Sequence, residues 1–191
     1  MHTKNTTERS HDRFHPLSIW MHWGMLILMV AVYALIEMRG IYPKGSSARE
    51  AMKDWHFMLG MLVFALVFAR LLLHWIFRAP PIDPAPPAWQ GFLARAMHLA
   101  LYAFLVAMPV LGWLALNAKG RSVPFFGIHL PTLIGPNKAL ADRYEDIHEI
   151  IGIVGYYLIG LHAAAALFHH YLLRDNALRR MLPWRRRESS C

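Results

Sequence analysis

The segment DIHEIIGIVGYYLIGLHAAAALFHHY, residues 146–171, carries His148 and His162 fourteen positions apart. Fourteen residues make almost four helical turns, about 21 Å, and return the second imidazole to within roughly 40° of the first. One helix face therefore presents two nitrogen ligands at two depths of an apolar segment. A basic side chain inside a bilayer is costly and is held there by a partner or a ligand, so such positions are functional by default. The chemistry open to them is ligation of a metal or haem iron, or proton relay.

Other histidines match these two depths. His56 opens the second long apolar segment as His148 opens the fourth, and in antiparallel helices the two starts lie on one side. His22 sits near the start of the first segment, at the level His162 reaches on the fourth. His74 is eighteen residues, or five turns, beyond His56 and competes with His22 for that level. It lies at the extreme end of its segment beside Arg70 and Arg78, where an interfacial role suits it better. One histidine near a span end is an ordinary interfacial residue; four that pair by depth form a ligand set. Zinc prefers three or four protein ligands in a tetrahedron, whereas two imidazoles per level suit haem iron. Glycines at 24, 60, 152, 155 and 160 leave room for a flat macrocycle or for close helix contact.

The elements that must position these residues are membrane spans. The chain has 191 residues, 56% of them hydrophobic and 17% charged, which points to one membrane domain rather than a soluble one. Four segments are long and apolar enough to cross a bilayer: 17–36, 55–77, 96–118 and 147–173. The first is expected to be an uncleaved span, having no small-residue cleavage pattern before Glu37. Pro109 falls inside the third and is expected to bend that helix without ending it. The stretch APPIDPAPPAWQ, residues 79–90, reads as a stiff linker, and 119–144 as a long loop apolar enough to pack on the bundle mouth. The fold expected is an all-α, four-helix up-down bundle.

With both termini cytoplasmic, the inner side holds Lys4, Arg9, Arg13, Arg70, Arg78, Arg95, Arg174, Arg179, Arg180, Arg185, Arg186 and Arg187, twelve of the twenty Lys and Arg. The net charge of +8 thus belongs to a membrane surface; no basic aromatic repeat points to nucleic acid. Cys191 is the only cysteine, which excludes an intramolecular disulfide, a CxxC pair and a CxxCH haem attachment.

The stretches SIWMHWGMLILMVAVYALIEMRGIYP, WHFMLG, HLALYAFLVAMPVLGW and HEIIGIVGYYLIGLHAAAALFHHYLLRDNALRRMLP together resemble the bacterial cytochrome b561 family, in particular its superoxide-oxidising members of the inner membrane. The resemblance covers nearly the whole chain and is most specific in the last stretch. It implies a bundle holding two b-type haems, with His56 and His148 as ligands of the outer iron and His22 and His162 of the inner one. It also implies an oxidoreductase that takes electrons from superoxide on the periplasmic side and delivers them to ubiquinone.

Quinone reduction consumes protons, and His98, His169 and His170 lie toward the inner ends of the third and fourth spans. His98 and His169 are the candidate quinone contacts; His170 points about 100° away from His169. Around the outer mouth, positions 37–54 and 119–149 hold eight Lys and Arg against seven Asp and Glu, so attraction of an anion requires the bases to cluster. Two other functions stay open: a general electron-transfer cytochrome b anchoring a dehydrogenase or hydrogenase, and a non-redox helical transporter whose histidines form a proton path.

Overall fold

The computed structural model describes residues 13–183; Lys4, Arg9, the Arg185–Arg187 cluster and Cys191 lie outside the described residues. Four long helices dominate: α1 (Pro16–Met38), α2 (Ser47–Ile76), α3 (Ala88–Ala118) and α4 (Lys138–Phe168), the last continued by a π-turn over His169–Leu173. All four are long and apolar enough to cross a membrane. α1 packs along α2, α2 along α3, and α3 along α4. Side chains close the ring between α4 and α1. Connections 39–46 and 119–137 share one end of the bundle, the loop end, and the chain's described termini share the other.

Each start follows from local chemistry. Pro16 occupies the first turn of α1, where no intrahelical partner is needed for its missing N–H. Ser46 accepts from the Arg49 amide at 3.3 Å to start α2. α3 begins directly after Pro87, so residues 88–90, expected in the linker, form its first turn. Asn137 accepts from Leu140 N at 3.1 Å, and Lys138 pairs with Asp142 one turn on. This cap makes 138–144 helical instead of loop. Pro109 sits within α3, and the helix runs through it.

The bundle is all-α except for a two-residue hairpin, β1 (Pro124–Phe125) with β2 (Ile128–His129). Its turn is made by Phe126 and Gly127, both at positive φ. Val123 from this loop is buried against Met61 and Leu116, with Phe125, Leu130 and Trp113 around them, so the loop does pack on the bundle mouth. Asn117 is fully buried and holds the loop by both ends of its amide: Nδ2 donates to Arg121 O at 2.9 Å and Oδ1 accepts from Leu133 N at 2.8 Å. Asn117→Ala removes both part-buried hydrogen bonds that anchor the loop, each contributing about 0.5–1.5 kcal/mol. The expected result is faster proteolysis within 119–137 in detergent, with helix content retained by circular dichroism.

At the opposite end the segment after α4 folds back across the bundle. Trp23 Nε1 donates to Met181 O at 2.7 Å, and Asn176 exchanges hydrogen bonds with Asp83 at 3.0 and 3.1 Å. Buried Arg180 donates to Pro80 O and stacks on Phe14, while Arg13 donates to Leu182 O. Trp20, Trp75 and Trp89 stay exposed around this end, as expected of aromatic anchors at the edge of an apolar slab.

Candidate functional site

The bundle interior places four histidines in two pairs. Near the loop end, His56 of α2 and His148 of α4 face each other with ring centres 6.2 Å apart and planes at 72°. Toward the termini end, His22 of α1 and His162 of α4 do so at 6.3 Å and 76°. α4 is α-helical throughout this interval, so the two levels stand about 21 Å apart along its axis.

An imidazole nitrogen binds a metal at about 2.0–2.1 Å, and each ring centre lies roughly 1.2 Å behind its nitrogen, so rings opposed across one ion have centres about 6.4 Å apart. Both pairs match that span. Among the described residues no group of three or more His, Cys, Asp or Glu gathers as a metal site, which disfavours a zinc tetrahedron. Two imidazoles per level are what a haem iron takes.

The surroundings fit a macrocycle. A Cβ at Gly24, Gly60 or Gly160 would meet nothing within 4 Å. Gly60 lines a small cleft beside His56, together with Met61, Pro109 and Gly112. A Cβ on Gly112 would come within 3.3 Å of the His148 ring, so this glycine lets α3 pass close to the imidazole. His56 has its Nδ1 at 3.0 Å from Val32 O, the arrangement that protonates Nδ1 and leaves Nε2 free as a ligand. His148 Nδ1 is buried with no hydrogen-bond partner.

Midway between the levels the interior is closed. Gly155 is seven residues from each α4 histidine, and the place its Cβ would take is filled by Tyr33 Oη and the Phe104 ring. Tyr33 donates to Gly152 O at 2.7 Å and lies tilted by 39° against Tyr156, with ring centres 4.2 Å apart; the Tyr156 hydroxyl donates to Glu37 at 2.9 Å. This aromatic partition ties α1 to α4 and separates the two compartments.

Of the candidate quinone contacts, His98 comes to 5.4 Å from His162, with its Nδ1 2.7 Å from Ala94 O. That separation is about 1 Å less than two imidazoles across one iron require, so His22 is the better partner for His162. His169 turns to Asp175 instead, with Nδ1 and Oδ2 2.5 Å apart, while His74 stays exposed on α2. Two polar residues here are not among the site candidates read from the sequence: Arg70, which donates to His22 Nδ1 at 2.9 Å and to Tyr102 OH at 3.3 Å at the lower level, and Asp175, beyond it at the termini end.

Comparison with known proteins gives this arrangement its context. Residues 13–184 match the prokaryotic cytochrome b561 family. The chain belongs to that family. It is 40% identical over 175 residues to cytochrome b561 homolog 1 of Escherichia coli (strain K12), covering 92% of this chain and 99% of the relative. It is 36% identical over 176 residues to a protein of Yersinia pestis described as a probable superoxide oxidase, CybB, again covering 92% and 99%. Cytochrome b561 homolog 2 of E. coli follows at 31% over 172 residues, 88% of this chain and 87% of the relative. A cytochrome b561 is a four-helix membrane bundle that binds b-type haem and transfers electrons. The chain is accordingly an oxidoreductase and a multi-pass protein of the bacterial inner membrane.

The bases at the loop end do not form a free cluster. Lys53 pairs with Glu50 at 2.7 Å, Lys119 with Glu145 at 2.6 Å, Arg121 with Asp54 at 3.5 Å and Lys138 with Asp142 at 2.7 Å. Arg49 donates to the carbonyls of Arg39 and Tyr42. Those four pairs are neutral, while Arg39, Lys44, Arg49 and Arg143 on one side and Glu37, Asp146 and Glu149 on the other make no ion pair among the described residues, so the formal excess stays at one positive charge.

Proposed function

We propose that this cytochrome b561 holds two b haems, one between His56 and His148 and one between His22 and His162, and passes single electrons from superoxide to ubiquinone. The observation that carries the reading is the pair of opposed imidazoles at each of two levels, 6.2 and 6.3 Å between ring centres. Bound haem iron supplies reversible one-electron transfer at each level. Two superoxide ions each yield one electron and leave as dioxygen; ubiquinone takes the two electrons with two protons and becomes ubiquinol.

In this reading the loop end faces the periplasm and both termini the cytoplasm, supported by Arg13, Arg78, Arg95, Arg174, Arg179 and Arg180 at the termini end. The protein's own work is to orient and to supply protons. Val32 O fixes the His56 tautomer, and Gly112 admits the His148 ring. His98, beside His162, and His169, backed by Asp175, stand where a quinone near the lower level draws its protons.

Superoxide as donor is supported by the Yersinia relative's description and not by charge at the loop end. The paired bases there favour a second reading, in which a partner dehydrogenase or hydrogenase docks and supplies the electrons. Stopped-flow mixing with superoxide decides between them. The expected result is reduction of the b-type absorbance within the superoxide lifetime, followed by reoxidation on adding ubiquinone. Haems that superoxide leaves oxidised, while a co-purifying dehydrogenase reduces them, establish the second reading.

A further inference from the structure

Arg70 is a charge inside the bundle that haem ligation and quinone reduction leave without a role. It lies fourteen residues after His56 on α2, the interval that separates His148 from His162 on α4, and so faces inward at the lower level. Its NH1 reaches His22 Nδ1 at 2.9 Å and its Nε the Tyr102 hydroxyl at 3.3 Å. Among the described residues no carboxylate comes within ion-pair distance of it. The other titratable groups around it are His22, His98 and His162. A guanidinium keeps its charge under all ordinary conditions.

The upper level has no equivalent. The charged groups felt there are Glu145 at His148 and Arg39 at His56, which oppose each other in sign. Only the lower pair carries an uncompensated positive charge within hydrogen-bond distance of one of its imidazoles.

We propose that Arg70 raises the reduction potential of the inner haem above that of the outer one and thereby sets the direction of electron flow, from the loop end toward the quinone. The proposal rests on the two-haem reading above. Gaining an electron lowers the net charge at the iron by one, and a fixed positive charge in low dielectric stabilises the reduced form. When Nε2 of His22 serves the iron, its Nδ1 carries the proton and no longer accepts from Arg70. The guanidinium then keeps its bond to Tyr102, and its charge stays at the lower level. Arg70 is in this sense a positioning residue for charge and does not touch the reacting atoms.

The test is a redox titration of the purified two-haem protein, with no superoxide or quinone present. The inner component is the one that His162→Ala removes. In Arg70→Gln, which keeps hydrogen-bond donors but loses the charge, the midpoint of that component shifts downward while the other component stays in place. In Arg70→Lys, which keeps the charge, the shift is absent or much smaller. No shift or an upward shift in Arg70→Gln, equal shifts of both components, or an equal downward shift in Arg70→Lys overturns the proposal. Loss of the inner haem from either variant overturns it as well, because the arginine is then needed for assembly. A wild-type protein that binds one haem by pyridine haemochrome content fails the two-haem reading itself, before any variant is compared; one that binds two haems of equal midpoint overturns the proposal.

Discussion

His148→Ala is expected to remove one of two b-type spectral components and His162→Ala the other, each variant retaining one haem per protein. Both residues sit on the same helix, and a helix that failed to fold would lose both haems together. Independence follows from distance and from what lies between. The two rings are about 21 Å apart along the axis, well beyond the range of about 7–10 Å within which substitutions usually couple. The interval is filled by Tyr33 and Phe104 packed on Gly155, so relaxation around a missing imidazole at one level stops at that partition. Pyridine haemochrome content together with low-temperature difference spectra reads the outcome. His74→Ala is the control: exposed and outside both pairs, it keeps two haems. Loss of both haems or of neither in the two α4 variants contradicts the assignment.

The pairing of His148 with His56 and of His162 with His22 was legible because helical periodicity and bilayer depth are both one-dimensional quantities. Fourteen residues fix the face and the rise, and apolar run length fixes which ends share a side. Helix extents were less legible, since hydropathy reports the apolar slab and not where the helix stops. α2 begins at Ser47 and α4 at Lys138, eight and nine residues before the apolar runs, because Ser46 and Asn137 cap them in polar surroundings.

What escaped was governed by contacts distant in sequence. Arg70 lies near a span end among the orienting arginines, yet it carries the same fourteen-residue interval from His56 that separates the α4 pair. The signal was present and was masked by the rule that counts arginines for orientation. Gly155 gave a hint of close approach without saying that Tyr33 and Phe104 fill it. Two of the loop-end pairs were invisible, because Lys119 with Glu145 and Arg121 with Asp54 join residues on different elements. Asp175 follows a π-turn that ends at Arg174 in the left-handed region, and only that reversal brings its carboxylate back to His169.

Asp175→Asn is expected to slow reoxidation of the haems by ubiquinone by about 100-fold while leaving their reduction at the loop end unchanged. Asp175 is 4% exposed and fully engaged: Oδ2 is 2.5 Å from His169 Nδ1, Oδ1 accepts from Ala177 N at 2.9 Å, and its own amide donates to His169 O at 3.2 Å. A carboxylate so placed fixes the orientation of the imidazole, as a side chain that delivers protons requires. Asparagine keeps the shape but can accept at only one atom, so it cannot hold both the Ala177 amide and the His169 ring as the carboxylate does. Quinone that cannot be protonated returns its electrons, so the defect falls on the second half of the cycle. Separate stopped-flow traces for reduction and reoxidation distinguish this from a general loss of structure, which slows both. Asp175→Glu, which restores charge at altered reach, is expected to recover part of the reoxidation rate. Equal rates of reoxidation in wild type and Asp175→Asn would instead assign proton supply to His98, which stands nearer His162 and has only the Ala94 carbonyl behind it.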